Sequence, residues 1–228
     1  YITPASSQAS VDNFVLTLNL DELPESSSTI ERQITGYNAL TYQFILDLVD
    51  PENKVEIQES LINYIDADMD ITNMEVKNTS IEDFGIRPLT ITGEFSSKTF
   101  VQKAGNKYLI NVGKMIGPQA EMYQEEKRKL PVSNQFNKQY ERKLIINIPV
   151  GYMVDNLDSL IMNIVYDKDG EKDMGFISTY ELEKNQLIVM CKEYYNRVNY
   201  TVDEYSKFEK VINAAADFNK VAIVLKKK

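Results

Sequence analysis

The feature that most limits how this chain can fold is the alternation of apolar and polar residues at a period of two. In Phe14-Val15-Leu16-Thr17-Leu18-Asn19-Leu20 every second position carries a large apolar side chain. Successive side chains of an extended strand point to opposite faces, so this pattern buries one face and wets the other. Further extended runs are read at 29–35, 71–77, 89–96, 107–113, 142–148, 160–166, 174–182, 186–195 and 221–225. Turn residues separate them: Gly36, Gly85, Pro88, Ala104-Gly105-Asn106, Pro149-Val150-Gly151 and Asp167-Lys168-Asp169-Gly170, where Asp-Gly is a strong hairpin signal. So many short strands exclude a helical bundle. They predict a mainly β fold with a few helices (α+β), built as two β-sandwich-like modules, with an immunoglobulin-like arrangement as one form they could take.

Three helices are expected among the strands. Leu40, Phe44 and Leu48 sit at helical spacing, although Tyr42, Phe44 and Leu46 also alternate; helix is the preferred reading. Asp50-Pro51 marks a second start, with Asp as N-cap and Pro at the first helical position. Val55, Leu61, Ile62 and Ile65 give that helix its apolar stripe. Thr201 followed three residues later by Glu204 is a capping box, opening a helix with Val202, Tyr205, Phe208, Ile212 and Ala215 on one face and Asn219 at its end.

Charge divides the chain unevenly. Residues 1–117 hold 17 Asp/Glu and 8 Lys/Arg and carry the whole net charge of −9, whereas residues 118–228 hold 17 of each. Residues 1–117 are therefore read as an acidic β-rich module with one or two helices, 118–139 as a connector containing Pro118 and Pro131, and 140–228 as a C-terminal β-sandwich-like module with one helix. The acidic balance argues against nucleic acid as a partner, because phosphate binding needs a basic face. No apolar run approaches the roughly 20 residues that span a bilayer as a helix. The chain opens on Tyr1 and a small, polar stretch, which reads as a linker in a processed or excised piece of a longer protein.

With 0 His and 1 Cys, the chain by itself cannot assemble a Ser-His-Asp triad, a Cys-His pair, a His-ligated zinc or a disulfide. Cys191, within Leu187-Ile188-Val189-Met190-Cys191, lacks a histidine base and is read as a small apolar strand residue. Asp66, Asp68 and Asp70 share the spacing of a calcium loop, but positions six and twelve are Ile71 and Lys77 where Gly and Glu are needed. The cluster Asp167, Asp169 and Asp173 is explained by its hairpin turn. Residues 47–83 hold 11 acidic and 2 basic side chains, either a solvated face or a docking face for a basic partner. Tyr194, Tyr195, Tyr200 and Tyr205 are read mainly as core, with a carbohydrate platform as the competing role. No catalytic, cofactor-binding or metal residue is singled out, and no cofactor is expected.

The last hundred residues resemble a known arrangement. Arg128-Lys129-Leu130-Pro131-Val132 precedes Tyr140-Glu141-Arg142 and Ile145-Ile146-Asn147-Ile148-Pro149-Val150-Gly151-Tyr152; a Tyr194–Tyr205 segment and an apolar 221–227 strand ending in lysines follow. This is similar to the C-terminal region, of DUF3857/DUF3858 type, of Bacteroidetes transglutaminase-like proteins. Gly36-Tyr37-Asn38-Ala39-Leu40 resembles the segment after their catalytic core. The resemblance implies a non-catalytic accessory region in a periplasmic or cell-envelope (or secreted) setting, with an upstream transglutaminase-like domain of the same polypeptide as partner. No catalytic residue carries over, since the Cys-His-Asp set has no counterpart here. The alternative is an independent glycan- or protein-binding module of the bacterial envelope; a calcium-stabilised adhesion-type domain is a third, weaker reading.

Overall fold

A computed structural model describes residues 10–123 and 128–228. The first half holds β1 (Ser10–Glu22), β2 (Glu25–Ile34), α1 (Gly36–Leu48), α2 (Pro51–Asn63), β3 (Asp70–Lys77), β4 (Leu89–Ser96), β5 (Val101–Ala104) and β6 (Lys107–Ile110). The second half holds β7 (Val132–Ser133), β8 (Lys138–Asn147), β9 (Tyr152–Asp155), β10 (Met162–Lys168), β11 (Glu171–Glu183), β12 (Gln186–Tyr195), β13 (Asn199–Tyr200), α3 (Tyr205–Phe218) and β14 (Ile223–Lys227). The fold is mainly β with three α-helices among the described residues, as the alternation predicts.

The two halves do not form separate sheets. Eight strands share one sheet in the order β10-β11-β12-β8-β1-β2-β4-β3. The seam is a parallel pairing of β1 with β8, from Ser10 opposite Lys138 to Asn19 opposite Asn147. The remaining pairs of this sheet are antiparallel. A second sheet, β5-β6-β14-β9, also crosses the expected boundary, because β6 of the acidic half pairs with β14 near the C-terminus. The change of charge at residue 118 therefore coincides with no break in hydrogen bonding. The expected connector contains β7 and the start of β8. Residues 107–113, read as one strand, stop at Ile110 and turn into a 3-10 segment at Val112–Ile116. Gly113 there lies against the backbone of Phe218 and Asn219, too close for any Cβ.

One face of the large sheet is packed. Leu16, Leu18, Ile30, Ile34, Leu89, Ile91, Leu144, Ile146, Leu187 and Val189 are buried on it. In the first half it is covered by α1 and α2, which bury Ala39, Leu46, Leu61 and Ile62. In the second half α3 covers it, with Phe218 against Phe176 of β11 at 5.7 Å between ring centroids. The opposite face is polar and mostly wet, carrying Asn13, Thr17, Glu31, Thr92, Glu94 and Lys143. Local signals behave as their chemistry requires. Asp169 and Gly170, both at positive φ (55° and 84°), form the two-residue turn between β10 and β11. Pro51 is the first residue of α2. Glu204 accepts the Thr201 N–H at 2.9 Å, but Thr201 is not the helix N-cap: α3 begins at Tyr205 with Glu204 in the N-cap position, so Val202 lies in the turn before it.

Candidate functional site

The seam carries charge on its inward face, where the alternation otherwise places hydrocarbon. Phe14 of β1 is flanked in register by Arg32 of β2 on one side and Arg142 of β8 on the other. Both arginines reach back to Asp12, two residues earlier on the same face, and all three charged residues are buried. Arg32 grips the carboxylate with both prongs, Nε to Oδ1 at 2.9 Å and Nη2 to Oδ2 at 2.7 Å, and donates through Nη1 to the Leu61 carbonyl in the last turn of α2. Arg142 donates to the Asp12 carbonyl and holds its Nη2 3.7 Å from Oδ2. The guanidinium planes lie over aromatic rings: Arg32 over Tyr64 at 4.2 Å, Arg142 over Phe14 at 4.4 Å. This is the geometry in which a buried ion pair is compensated, by bidentate contact and further hydrogen bonds.

Beside the cluster, three residues of β8 face three of β12: Arg142 opposite Cys191, Tyr140 opposite Glu193, Lys138 opposite Tyr195. Together with Tyr64, Gln119 and Ile212 of α3 they enclose a cavity of about 330 Å³. Its ionisable lining holds three cations (Arg32, Arg142, Lys138) against two carboxylates (Asp12, Glu193), a local excess of positive charge in an acidic chain. Burial raises the Asp12 carboxyl, but the Arg32 hydrogen bonds and the charges of Arg142 and Arg32 outweigh it and hold it below the ordinary carboxylate range. Glu193 goes the other way. Burial pushes it up despite the hydroxyl of Tyr195, which donates to it at 2.7 Å, and the charges of Arg142 and Lys138. Tyr140 is pushed up to about 12, first by burial and then by Glu193. The Tyr64 hydroxyl is buried without a hydrogen-bond partner among the described residues.

The cavity's arginines are engaged by Asp12 and backbone carbonyls. Its one thiol, Cys191, is buried on the inward face of β12, and burial pushes it far from ionisation against the weaker opposing charge of Arg142.

Of the residues weighed in the sequence, Cys191 and Tyr195 line this cavity and the others fall elsewhere. Asp66 accepts the Asp68 N–H at 3.1 Å and the Ser97 hydroxyl; burial raises it, but these bonds and one from Thr99 bring it below its usual range. Asp70 opens β3. Asp173 lies within β11, past the hairpin turn, and pairs bidentately with Arg197 at 2.6 and 2.7 Å. Among the described residues no three or more Cys, Asp or Glu side chains are grouped to hold a metal. Tyr194, Tyr195, Tyr200 and Tyr205 are all buried, and Tyr195 and Tyr200 pack against Phe208 at 5.2 and 5.1 Å. A carbohydrate platform on these four is therefore ruled out in favour of the core reading. Arg128 curls back to the Leu130 carbonyl. In the sequence neither Asp12 nor Arg32 is singled out, and Arg142 is taken as a strand start and part of the Tyr140-Glu141-Arg142 resemblance, not as a site residue. The available signal was a charged residue in the inward register of an alternating strand: Asp12 before Phe14, Arg32 between Ile30 and Ile34, Arg142 before Leu144.

The described residues form a β-rich fold: a mixed eight-stranded sheet with one packed face and a buried charge cluster, and a smaller four-stranded sheet. Residues 106–225 match the family described as a Domain of Unknown Function with solved-structure structure (DUF3858), and the chain belongs to that family. The matched segment runs from β6 to β14 and so takes in the pairing that closes the second sheet. No curated protein matches the sequence. Among solved structures the chain is similar, at 6% identity and a TM-score of 0.30, to a mutant two domain M1 zinc metallopeptidase bound to L-arginine; the match covers 96% of this chain and 42% of that one.

Proposed function

We propose that this chain is a non-catalytic accessory region of a transglutaminase-like, cysteine-peptidase-like protein of the bacterial periplasm or cell envelope, supporting or shaping a catalytic core carried elsewhere. The observation that bears most weight is the state of Cys191. Cysteine chemistry needs an accessible thiolate beside a base. Here the one thiol is buried in a sheet, is held protonated, and has no histidine anywhere in the chain to activate it. Membership of the DUF3858 family is consistent with such a role, as is a seam that ties the two halves of the sheet into one rigid support.

The test is to assay the purified chain for hydrolysis and transamidation of peptide amides, alone and fused behind a transglutaminase-like domain. The chain alone should be inert, and the fusion should raise the thermal stability or kcat/KM of the attached domain. Turnover by the chain alone that is abolished by Cys191→Ala would refute the proposal. An independent protein-binding role is favoured by a separate observation, an apolar surface on α1, taken up next; the glycan-binding role has lost the four tyrosines that suggested it.

A further inference from the structure

The first half of the chain exposes large apolar side chains in one place. α1 turns Ala39, Gln43 and Leu46 inward, at helical spacing. Its other side carries Phe44 and Leu48, one turn apart and 54% and 66% exposed. Beside them lies the loop after β3, where Ile81 is 65% and Ile86 78% exposed and the half-buried Phe84 ring sits 6.3 Å from that of Phe44. Single exposed apolar residues are ordinary, but a contiguous group of this size marks an interaction surface.

The loop is not loosely draped. Gln43, fully buried, donates its amide to the Asn78 and Arg87 carbonyls at 2.9 and 3.1 Å. Asn78 donates to the Pro88 carbonyl at 2.7 Å, and Asp47 of α1 accepts the Ile81 N–H at 3.2 Å. Ser80 and Asp83 close a capping box around the turn between them. These polar anchors fix the loop to α1 while leaving Ile81 and Ile86 in water, so the apolar surface is preformed. Exposed acidic residues lie on the same elements, Asp47 on α1, Asp50, Glu52 and Glu56 at the head of α2 and Glu82 beside Ile81 in the loop, against the cations Lys54 and Arg87, the latter paired with Asp83 at 3.4 Å.

We infer that this surface docks a cationic amphipathic helix of another polypeptide. The apolar centre takes that helix's large side chains, and the exposed carboxylates pair with the Lys and Arg residues flanking them. The i, i+4 spacing of Phe44 and Leu48 suits the i, i+4 anchors of a helical ligand. Charge complementarity selects a basic partner and speeds its approach. The same carboxylates repel an anionic membrane surface. The inference is independent of the accessory role proposed above.

Two labelled helical peptides of 14 residues test it, with the same leucine face and either lysine or glutamate on the other face. Fluorescence anisotropy with the whole chain should give a Kd at least tenfold tighter for the lysine peptide, weakening several-fold from 50 to 500 mM salt. Phe44→Ser/Leu48→Ser/Ile81→Ser should weaken it at least tenfold while circular dichroism stays unchanged. If the triple variant fails to fold, Ile86→Ser alone should weaken it measurably. Binding unchanged in these folded variants would mean charge attraction alone and overturn the inference. So would equal binding of the glutamate peptide, or partition onto zwitterionic phosphatidylcholine vesicles in place of peptide binding.

Discussion

Replacing Asp12 by alanine probes the seam directly. In the native protein its carboxylate is the shared partner of two buried cations, with two short bonds from Arg32 and a 3.7 Å approach from Arg142. Asp12→Ala leaves both guanidinium groups buried without a counter-charge, and removing one partner of a buried pair costs about 3–5 kcal/mol. Arg32→Met alone is also costly, because it strands the Asp12 carboxylate and the Leu61 carbonyl. Once Asp12 is gone, however, losing Arg32 removes an uncompensated charge. The double variant should therefore cost less than the sum of the singles by about 1.5–3 kcal/mol, in the upper part of the range for residues in direct contact. The carbonyl of Leu61 loses its donor with or without Asp12, so it cancels from this comparison. Urea unfolding followed by far-UV circular dichroism measures all four corners of the cycle. Acid adds a second readout. The folded Asp12 carboxyl sits below its unfolded value of 3.8, so its stabilisation is complete above that pH and is lost as pH falls through the lower folded value. Asp12→Ala should flatten that part of the stability curve. Additivity within about 0.5 kcal/mol, or a cost for Asp12→Ala below about 1 kcal/mol, would refute the reasoning.

Three further outcomes are expected. Glu193 has a raised folded value, so ionisation penalises the native state and stability is lost as pH rises from about 4.5 through that value; Glu193→Gln should stabilise the protein at pH 7 and remove that slope in urea titrations at several pH values. Cys191 should resist a thiol reagent in the native protein and react once urea opens the sheet, so stoichiometric labelling without denaturant would contradict its burial. Gly113→Ala forces a methyl group into the backbone of Phe218 and Asn219 at the end of α3 and should cost about 1–3 kcal/mol, read as a lowered Tm.

The parts of the fold set by neighbours in sequence were legible. The run 186–195 is β12 to the residue, because its alternation and the flanking Glu183-Lys184-Asn185 turn are local signals. The Asp169-Gly170 turn and Pro51 at the head of α2 were legible for the same reason. What could not be read was partnership. Alternation states which side of a strand is apolar, and β1 carries the same alternation whether its neighbour is β2 alone or β2 and β8 together. The two-module division followed from charge, a surface property, whereas the sheet is continued by backbone hydrogen bonds that no side-chain composition records. The seam cluster was obscured by the same logic. Asp12, Arg32 and Arg142 are polar at inward positions, and each in isolation looks like a break in its strand's apolar face; only their convergence from three strands shows them to be mutually compensated.

The parallel pairing of β1 with β8 also sets an order of events during synthesis. Asn19 and Asn147 share a hydrogen bond across 128 residues of chain. β1 is made before β8 and can pair with β2 at once, but its other edge has no mate until β8 is made. At roughly 5–20 residues per second that interval lasts on the order of ten seconds. Throughout it the nascent protein presents a long, unpaired strand edge with Phe14, Leu16 and Leu18 beside it, the kind of surface that recruits other chains. Expression yield should therefore respond more sharply to conditions that slow the ribosome between β2 and β8, or that withdraw chaperones, than to substitutions of equal thermodynamic effect placed in α3.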